Sequence, residues 1–551
     1  MLLIAAATGT AVMGRRAPLA MRSAIGMAVA GQIFVVLGTM GMLRPWSLCA
    51  FAVVACVAPA ARRLDRRRLA GDFPRHRAGG GPAGQRPALQ MGVAALFILP
   101  LFLLALYPPI AFDETLYHLP FVQAIARSGA IGLTPDLRFP IFPQLHEVLC
   151  APAFLLSGDT ATHLVALAEL IVLGGLMIEW PQKRLAGFLA AALVLGNPIV
   201  VQLATVTHVD VALTLFIVAG FFCLDRQRFI AAGFLLGTAC SVKYLGWYFA
   251  AAALANLLLF GTNRRRASLL FLGAFLIAVI PMYGRMAALT GNPFFPFFQP
   301  NPWTVSLKVS GGIAVHVTNA LRLFWDISFA RQRVNWQPPY SPLFALAMLI
   351  TLLAAVRNRR AAFLAALCVG YIAIFTFLPQ DSRYLLPLLP LVSIAAAMIV
   401  TPMLHKKYIV AATVLAIAPG VAYAGYRLDH QWPPPLTAAQ RQQYLERHIP
   451  EYRALEHRGA GRIYVCGAEQ LKYFGGENLL GEVAGPFGNP AIFADCRDAN
   501  DLARNLAKLR IRYLLISRTH CQLAWRNLPS QPHFERVYAD EAAELWRTMP
   551  P

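Results

Sequence analysis

Apolar runs long enough, or nearly long enough, to cross a bilayer recur through the first 425 residues of this 551-residue chain, and that recurrence leaves few folds open. A membrane-spanning helix needs about 20 apolar residues, with a lower limit near 17. The runs lie near 24–42, 46–60, 90–107, 161–179, 185–204, 209–224, 229–242, 245–260, 268–286, 341–356, 361–378, 385–403 and 408–425. The shorter stretch Met1–Met13 raises the count from about thirteen to about fourteen if it also spans. Only 14% of residues are charged and 57% are hydrophobic, against about 25% charged in soluble domains. The chain is therefore expected to be a polytopic membrane protein.

The segments between the runs alternate in character. One set carries clustered basic residues: Arg62 to Arg86 with eight arginines, Lys183-Arg184, Arg226 and Arg228, Arg264 to Arg266, Arg357 with Arg359-Arg360, and Lys406-Lys407. The other set, 109–160, 205–208, 287–340 and 379–384, is longer or poor in positive charge. Positive charge is retained in the cytoplasm, so the second set faces outward, and so does the polar region from 427 onward. The net charge of +22 would suggest nucleic acid in a soluble protein. Clustered between apolar runs, it reports topology instead, and no nucleic-acid partner is expected. Arg15, Arg16 and Arg22 follow the first apolar stretch rather than precede it, so a cleaved signal peptide is not expected. No internal repeat is visible, which argues against repeat-built transporters.

Residues 61–90, rich in Arg, Gly and Pro, read as a flexible cytoplasmic linker. Beyond 427 the pattern changes to short alternating runs. Arg462–Cys466 and Arg512–Ile516 predict strands, Thr437–Tyr452 and Asn500–Leu509 predict helices, and Phe534–Tyr538 with Glu544–Arg547 predicts a closing hairpin. The expected fold class is mainly α: a polytopic membrane helix bundle of about 13 spans with a small extracytoplasmic α/β C-terminal domain. Of nine cysteines, Cys466, Cys496 and Cys521 lie in that domain, where one disulfide and one leftover thiol are possible.

The residues that point to chemistry are charges placed at the outward ends of apolar runs. Asp113-Glu114 follows the run 90–107, which is itself preceded by the arginine-rich segment. Carboxylates at that depth are costly unless they have a role. Asp113 also suits the start of a helix running through Ala126, and the two roles are compatible. In the same loop stand His146 and Glu147, which with Asp113 are candidates for a divalent-metal site. The alternative is that they cap the next interfacial helix. Asp210, in Thr207-His208-Val209-Asp210, brings a second carboxylate to the same face, where cation bridging or acid/base work needs one. Lys243 is the only charge between Phe229 and Asn263. It suits either a snorkelling lysine or a phosphate ligand. Arg383 sits at an outward helix start, where the helix dipole disfavours a cation. An anionic partner is therefore expected, either Asp381 or a bound phosphate. Arg285 is a further candidate for phosphate. Gly291 to Phe298, with four Phe and two Pro, forms an apolar wedge suited to a bilayer surface or an isoprenoid groove.

Asp-Glu in the first large outer loop, His-x-Asp at a later helix junction, Lys243-Tyr244, and Arg-Tyr-Leu-Leu-Pro-Leu-Leu-Pro over 383–390 together resemble the GT-C superfamily of integral membrane glycosyltransferases. The members it resembles are the bacterial polyprenyl-phosphate-sugar transferases, including those acting on lipopolysaccharide, and the protein O-mannosyltransferases. The likeness covers about 91 to 400, and the extra N-terminal runs and the arginine-rich linker depart from it. Residues 1–60 read as N-terminal membrane helices from their apolar runs. The resemblance implies 91–426 as the membrane catalytic domain with outer loops 109–160 and 287–340, and 427–551 as a periplasmic domain. It implies a sugar donor on polyprenyl phosphate, used at the outer face of a bacterial inner membrane. The acceptor is a glycan, lipid or protein. By the same resemblance Asp113, Glu114 and Asp210 are catalytic, and Lys243, Arg383 and Arg285 contact the donor phosphate. The competing readings are a transporter or flippase of lipid-linked sugars, which needs ionisable residues near mid-membrane, and a non-catalytic assembly subunit, which gives no reason for the four charges to converge.

Overall fold

The structure, a computed structural model, describes residues 2–14, 17–55, 97–137, 139–261, 263–298, 311–481, 487–488, 492–493, 496–521, 529–530 and 532–549. The expected linker 61–90 and the start of the run 90–107 lie outside the described residues. The chain opens with α1 (Leu2–Met13), α2 (Leu19–Thr39), α3 (Pro45–Ala55) and α4 (97–104). A π-helical turn, Glu114–His118, runs directly into α5 (Leu119–Ser128), followed by α6 (Leu145–Ser157) and α7 (Thr160–Glu179). Next come α8 (Arg184–Leu195), α9 (Pro198–Leu203), α10 (Asp210–Asp225), α11 (Phe229–Val242), α12 (Gly246–Phe260) and α13 (Arg264–Thr290). The membrane part closes with α14 (Ile313–Phe329), α15 (Leu343–Ala355), α16 (Arg359–Phe375), α17 (Leu388–Val400) and α18 (Lys406–Gln431).

By length and composition four of these, α2, α7, α13 and α18, are able to cross a bilayer. Most other expected spans fold as shorter helices, because glycine, proline and isolated polar residues interrupt the runs. The count of about thirteen thus includes many helices below the full spanning length of about 20 residues. Met1–Met13, left open by its length, folds as α1. At 12 residues it is about 18 Å long, well short of a bilayer core, and it folds back antiparallel on α2. Gly9 and Gly26 permit this: a Cβ on Gly26 would lie 1.7 Å from the Ala5 carbonyl oxygen, and one on Gly9 1.7 Å from that of Arg22. Arg22 closes the pair by donating to Thr10 Oγ1 at 2.9 Å. Gly26→Ala is expected to push α1 away and cost about 1–3 kcal/mol, as overpacking does. Gly273→Ala, where a Cβ meets nothing within 4 Å, is expected to be neutral. Melting of the purified protein distinguishes the two.

The bundle has two chemically different ends. Asp210 begins α10, and Asp225 and Arg226 end it, about 24 Å away. At that far end Arg226 donates to the Trp180 carbonyl at 3.3 Å and Arg360 lies 3.4 Å from Asp225. The basic segments after α7, α10 and α15 therefore meet at the end opposite Asp210, as the alternating charge pattern requires.

The C-terminal domain holds a five-stranded sheet in the order β2-β1-β3-β5-β4. The strands are β1 (Arg462–Cys466), β2 (Leu479–Leu480), β3 (Ile511–Ser517), β4 (Phe534–Ala539) and β5 (Ala543–Thr548). β1 pairs in parallel with β2 and β3, and β5 runs antiparallel to both β3 and β4. β1 is covered on both faces: Ile463 and Val465 belong to one core, Tyr464 and Cys466 to the other. Both expected helices form, as α19 (Ala438–His448) and α20 (Ala499–Lys508). A capping box starts α19, with Thr437 and Gln440 exchanging side-chain and backbone hydrogen bonds. Sequence periodicity missed β2, whose two residues are too few to show alternation.

Cys466 and Cys521 form a disulfide, and Cys496 remains a thiol that accepts from Asn505 at 3.4 Å. The bridge links positions 55 residues apart, so loop-closure entropy assigns it about 4 kcal/mol. Cys466→Ser with Cys521→Ser is expected to lower the stability of this domain by about 2–4 kcal/mol. Thermal melts of wild type in reductant should reproduce that loss. The domain is held against the loop 109–160 by Arg441 on Asp159 and by Lys472 Nζ, 2.7 Å from Asp136 Oδ2.

Candidate active site

The chain delivers its first carboxylates by a sharp stop and restart. Tyr107-Pro108-Pro109 ends the α4 segment, because proline removes a donor and restricts the residue before it. Helix resumes at Phe112 and widens into the π turn, a form often found at functional sites. Adjacent residues on a helix diverge, so Asp113 and Glu114 acquire different surroundings.

Asp113 Oδ2 accepts from the Arg383 guanidinium and, at 2.8 Å, from the Tyr117 hydroxyl. Burial alone would raise the Asp113 pKa. The Arg383 charge and its hydrogen bond outweigh it, holding this carboxyl well below the usual range. Glu114 turns inward and is fully buried. Its Oε1 lies 2.6 Å from His163 Nε2 and accepts from the Thr207 amide at 2.7 Å. Here too burial is the largest influence and is overcome, by His163 and the Thr207 N–H, so Glu114 stays ionised.

Arg383 is the hub. It is only 7% exposed, which for an arginine requires several anionic or polar partners. Besides Asp113, its Nη1 lies 3.2 Å from His208 Nδ1, and its Nε 2.9 Å from Asp381 Oδ2, a charge contact without hydrogen-bond alignment. Asn335 Nδ2 donates to the same Asp381 oxygen at 2.9 Å, while Asp381 Oδ1 accepts from the Arg383 amide at 3.2 Å. Burial, then the Arg383 charge, pushes the His208 pKa down to about 3. The ring is therefore neutral and its Nδ1 is free to accept from Arg383.

Asp210 and Lys243 form the second pair, Nζ to Oδ1 at 2.8 Å. α11 ends at Val242, and Lys243 takes an extended backbone before α12 begins, which releases the side chain toward Asp210. The Lys243 ammonium also sits 4.5 Å above the Tyr384 ring, and the Arg383 guanidinium 5.6 Å from it. Tyr384 is thus a shared aromatic face for both cations. Asp210 lies within electrostatic range of Arg383 and His208. Asp113, Asp210, Lys243 and Arg383, spread over 270 residues of sequence, therefore belong to one network. Besides Arg383 Nε, the buried Glu114 Oε2 and His208 Nε2 have no hydrogen-bond partner among the described residues.

The expected metal set does not assemble. Asp113 faces Arg383, Glu147 Oε1 lies 2.6 Å from His118 Nδ1, and His146 Nδ1 lies 3.1 Å from Glu169 Oε1. His146 and Glu147 are neighbours on α6 and so point apart. Among the described residues no group of three or more His, Cys, Asp or Glu is placed to hold a metal ion. Arg285 Nε donates to the Ile131 carbonyl at 2.9 Å, pinning the loop 109–160.

Sequence reasoning missed His163, which meets Glu114 and the Ala105 carbonyl, and Glu169, whose Oε1 meets His146. The available signal was an ionisable pair inside an otherwise apolar run, the 161–179 segment. The aromatic wedge packs beside Lys243: Tyr244 meets Phe297 at 5.2 Å, Trp247 meets Phe294 at 5.5 Å, and the Tyr244 hydroxyl donates to the Phe295 carbonyl. Phe298 stays 87% exposed.

ArnT from Cupriavidus metallidurans bound to undecaprenyl phosphate aligns over 84% of this chain and 98% of its own, at 14% identity and a TM-score of 0.52. Its apo form aligns over 83% and 98%, at 14% identity and a TM-score of 0.54. The chain has the ArnT fold. That is the architecture anticipated from the GT-C resemblance, and it includes a small sheet domain near the C-terminus. At this identity the likeness to ArnT extends to the fold alone. The archaeal oligosaccharyltransferase AglB from Archaeoglobus fulgidus aligns over 79% of this chain and 70% of its own, at 12% identity and a TM-score of 0.49. A family model described as SF2091/S2213 matches residues 440–547. No curated protein matches the sequence.

Proposed function

We propose that this chain is an integral membrane glycosyltransferase that moves a sugar from a polyprenyl-phosphate donor to an acceptor hydroxyl at the periplasmic face of a bacterial inner membrane. The observation that carries this reading is the single network of Asp113, Asp210, Lys243 and Arg383 at the bundle end opposite the basic clusters. The shared fold of ArnT, a protein solved with undecaprenyl phosphate bound, supports the choice of donor. The disulfide of the C-terminal domain supports an oxidising, extracytoplasmic side.

The chemistry follows from the groups present. Asp113 takes the proton of the acceptor hydroxyl as its oxygen bonds to the anomeric carbon. The bond from that carbon to the phosphate oxygen breaks, and its electron pair leaves with the polyprenyl phosphate. One displacement inverts the anomeric centre. The leaving phosphate is already a weak base and needs charge stabilisation more than a proton, which Lys243 and Arg383 supply. Asp210 holds Lys243 in place, and Glu114 anchors the π turn through His163 and Thr207. No step is routed through a metal, since the expected ligand set does not assemble. The wedge of Phe294 to Phe298 lies beside Lys243, where an isoprenoid chain would leave the phosphate.

In this state both cations are occupied by carboxylates. A phosphate that engages Arg383 competes with Asp113 for it. As that contact weakens, the influence holding the Asp113 pKa down is lost and the carboxylate becomes a stronger base. Donor binding thereby arms the base. The test is to incubate the purified protein in lipid nanodiscs with undecaprenyl-phosphate-linked hexoses and pentoses and bacterial envelope extract. Acceptor-dependent release of undecaprenyl phosphate is expected. Movement of the lipid-linked sugar across vesicles with no such release would overturn the assignment in favour of a flippase.

A further inference from the structure

A cleft of about 400 Å³ lies between α5 and the C-terminal domain. None of Asp113, Asp210, Lys243 or Arg383 lines it. It uses the face of α5 that carries Gln123 and Arg127, whereas Val122 and Ile125 on another face are buried in the membrane-domain core. The opposite wall comes from the sheet domain, with Arg462, Glu477 and Phe487. Its seam is closed by the buried Lys472 and the part-buried Asp136, 2.7 Å apart, whose charges compensate each other. That leaves the two guanidiniums of Arg127 and Arg462 against one carboxylate, Glu477. Neither arginine has an ion-pair partner among the described residues, and Arg462 spends one N–H on the Leu509 carbonyl at 3.2 Å.

The lining combines three chemistries. Pro120 and Phe487 offer flat apolar faces, Gln123 and Glu477 offer hydrogen bonds, and the arginines offer bidentate anion contacts. A pyranose presents C–H groups on its faces and hydroxyls around its edge, and a phosphorylated one adds the anion. Along the helical segment, Pro120 at the cleft is about 10 Å from Asp113. The geometry points to a second binding site in this cleft, for the anionic saccharide portion of the acceptor, which it holds while a hydroxyl further along the chain reaches Asp113. The acceptor role rests on the glycosyltransferase reading; the binding site itself does not. A ligand bridging α5 and the sheet domain also ties the Asp113 turn to the domain that recognises the acceptor.

The experiment titrates the full chain in detergent with N-acetylglucosamine 6-phosphate, N-acetylglucosamine and inorganic phosphate, read by calorimetry and by saturation-transfer NMR. The sugar phosphate is expected to bind, with the neutral sugar and inorganic phosphate each at least tenfold weaker. Arg127→Gln with Arg462→Gln is expected to weaken it at least tenfold without moving the melting temperature, because both side chains are exposed. Asp113→Asn should bind it as wild type does. Unchanged binding in the double variant would overturn the proposal. So would neutral sugar binding as tightly, which removes the anion, or inorganic phosphate binding as tightly, which removes the saccharide. Binding is read without turnover, so a protein that binds the sugar phosphate but releases no undecaprenyl phosphate refutes the transferase reading and leaves the cleft intact.

Discussion

Asp113→Asn is expected to lower single-turnover sugar transfer by roughly 10²–10⁴-fold, the usual range for removing a general base. Each tenfold is about 1.36 kcal/mol of barrier. Asparagine keeps the size and an oxygen that accepts from Tyr117, but it cannot take a proton. Arg383 keeps Asp381 and His208 as partners, so the variant is expected to fold and to bind undecaprenyl phosphate within a few-fold of wild type. A rate close to wild type would place the base elsewhere. The pH profile is a second readout. Because the Asp113 pKa is depressed in the free protein, the carboxylate stays ionised until the pH falls below its ordinary range of about 4. The acid limb of kcat/KM is therefore expected below about pH 4. The limb of kcat reports the donor complex, in which phosphate competes for Arg383, so it is expected at higher pH.

Arg383→Ala is expected to cost about 3–5 kcal/mol of stability, because Asp113 and Asp381 lose the cation that compensates their burial. A melting shift decides this. Arg383→Lys separates charge from geometry. One ammonium on a flexible stem cannot serve Asp113, His208 and Asp381 at once, as the planar guanidinium does. It is expected to fold, yet to bind undecaprenyl phosphate roughly 10- to 100-fold more weakly, the equivalent of about 1.5–3 kcal/mol for a charged hydrogen bond. Wild-type stability and wild-type affinity in Arg383→Lys would show that the three contacts are incidental.

Much of this site was legible without coordinates. Asp113, Asp210, Lys243 and Arg383 each interrupt or terminate an apolar run, and a charge there is conspicuous. The strands of the C-terminal domain were legible too, since Arg462–Cys466 and Ile511–Ser517 carry β-branched and aromatic residues between polar breaks. Partners were harder. His146 and Glu147 are adjacent in sequence and suggest one ligand set with Asp113, yet neighbouring residues on α6 diverge to Glu169 and His118. Arg285 stands at a similar depth, and its Nε donates to the Ile131 carbonyl, a contact no local pattern announces. His163 was hidden within an otherwise apolar run.

The amino-acid sequence by itself determined the class of molecule, the end of the bundle at which Asp113, Asp210, Lys243 and Arg383 lie, and most of the strands of the C-terminal domain. Hydropathy sets depth and basic clusters set side, and both are local properties of the chain. The tertiary structure alone decided which cation meets which carboxylate, that no metal set forms among the described residues, and that α5 and the sheet domain enclose a cleft. Those facts depend on how far each helix is rotated and how closely two helices approach, as at Gly9 and Gly26. Such angles are set by packing between segments distant in sequence, and no single segment encodes them.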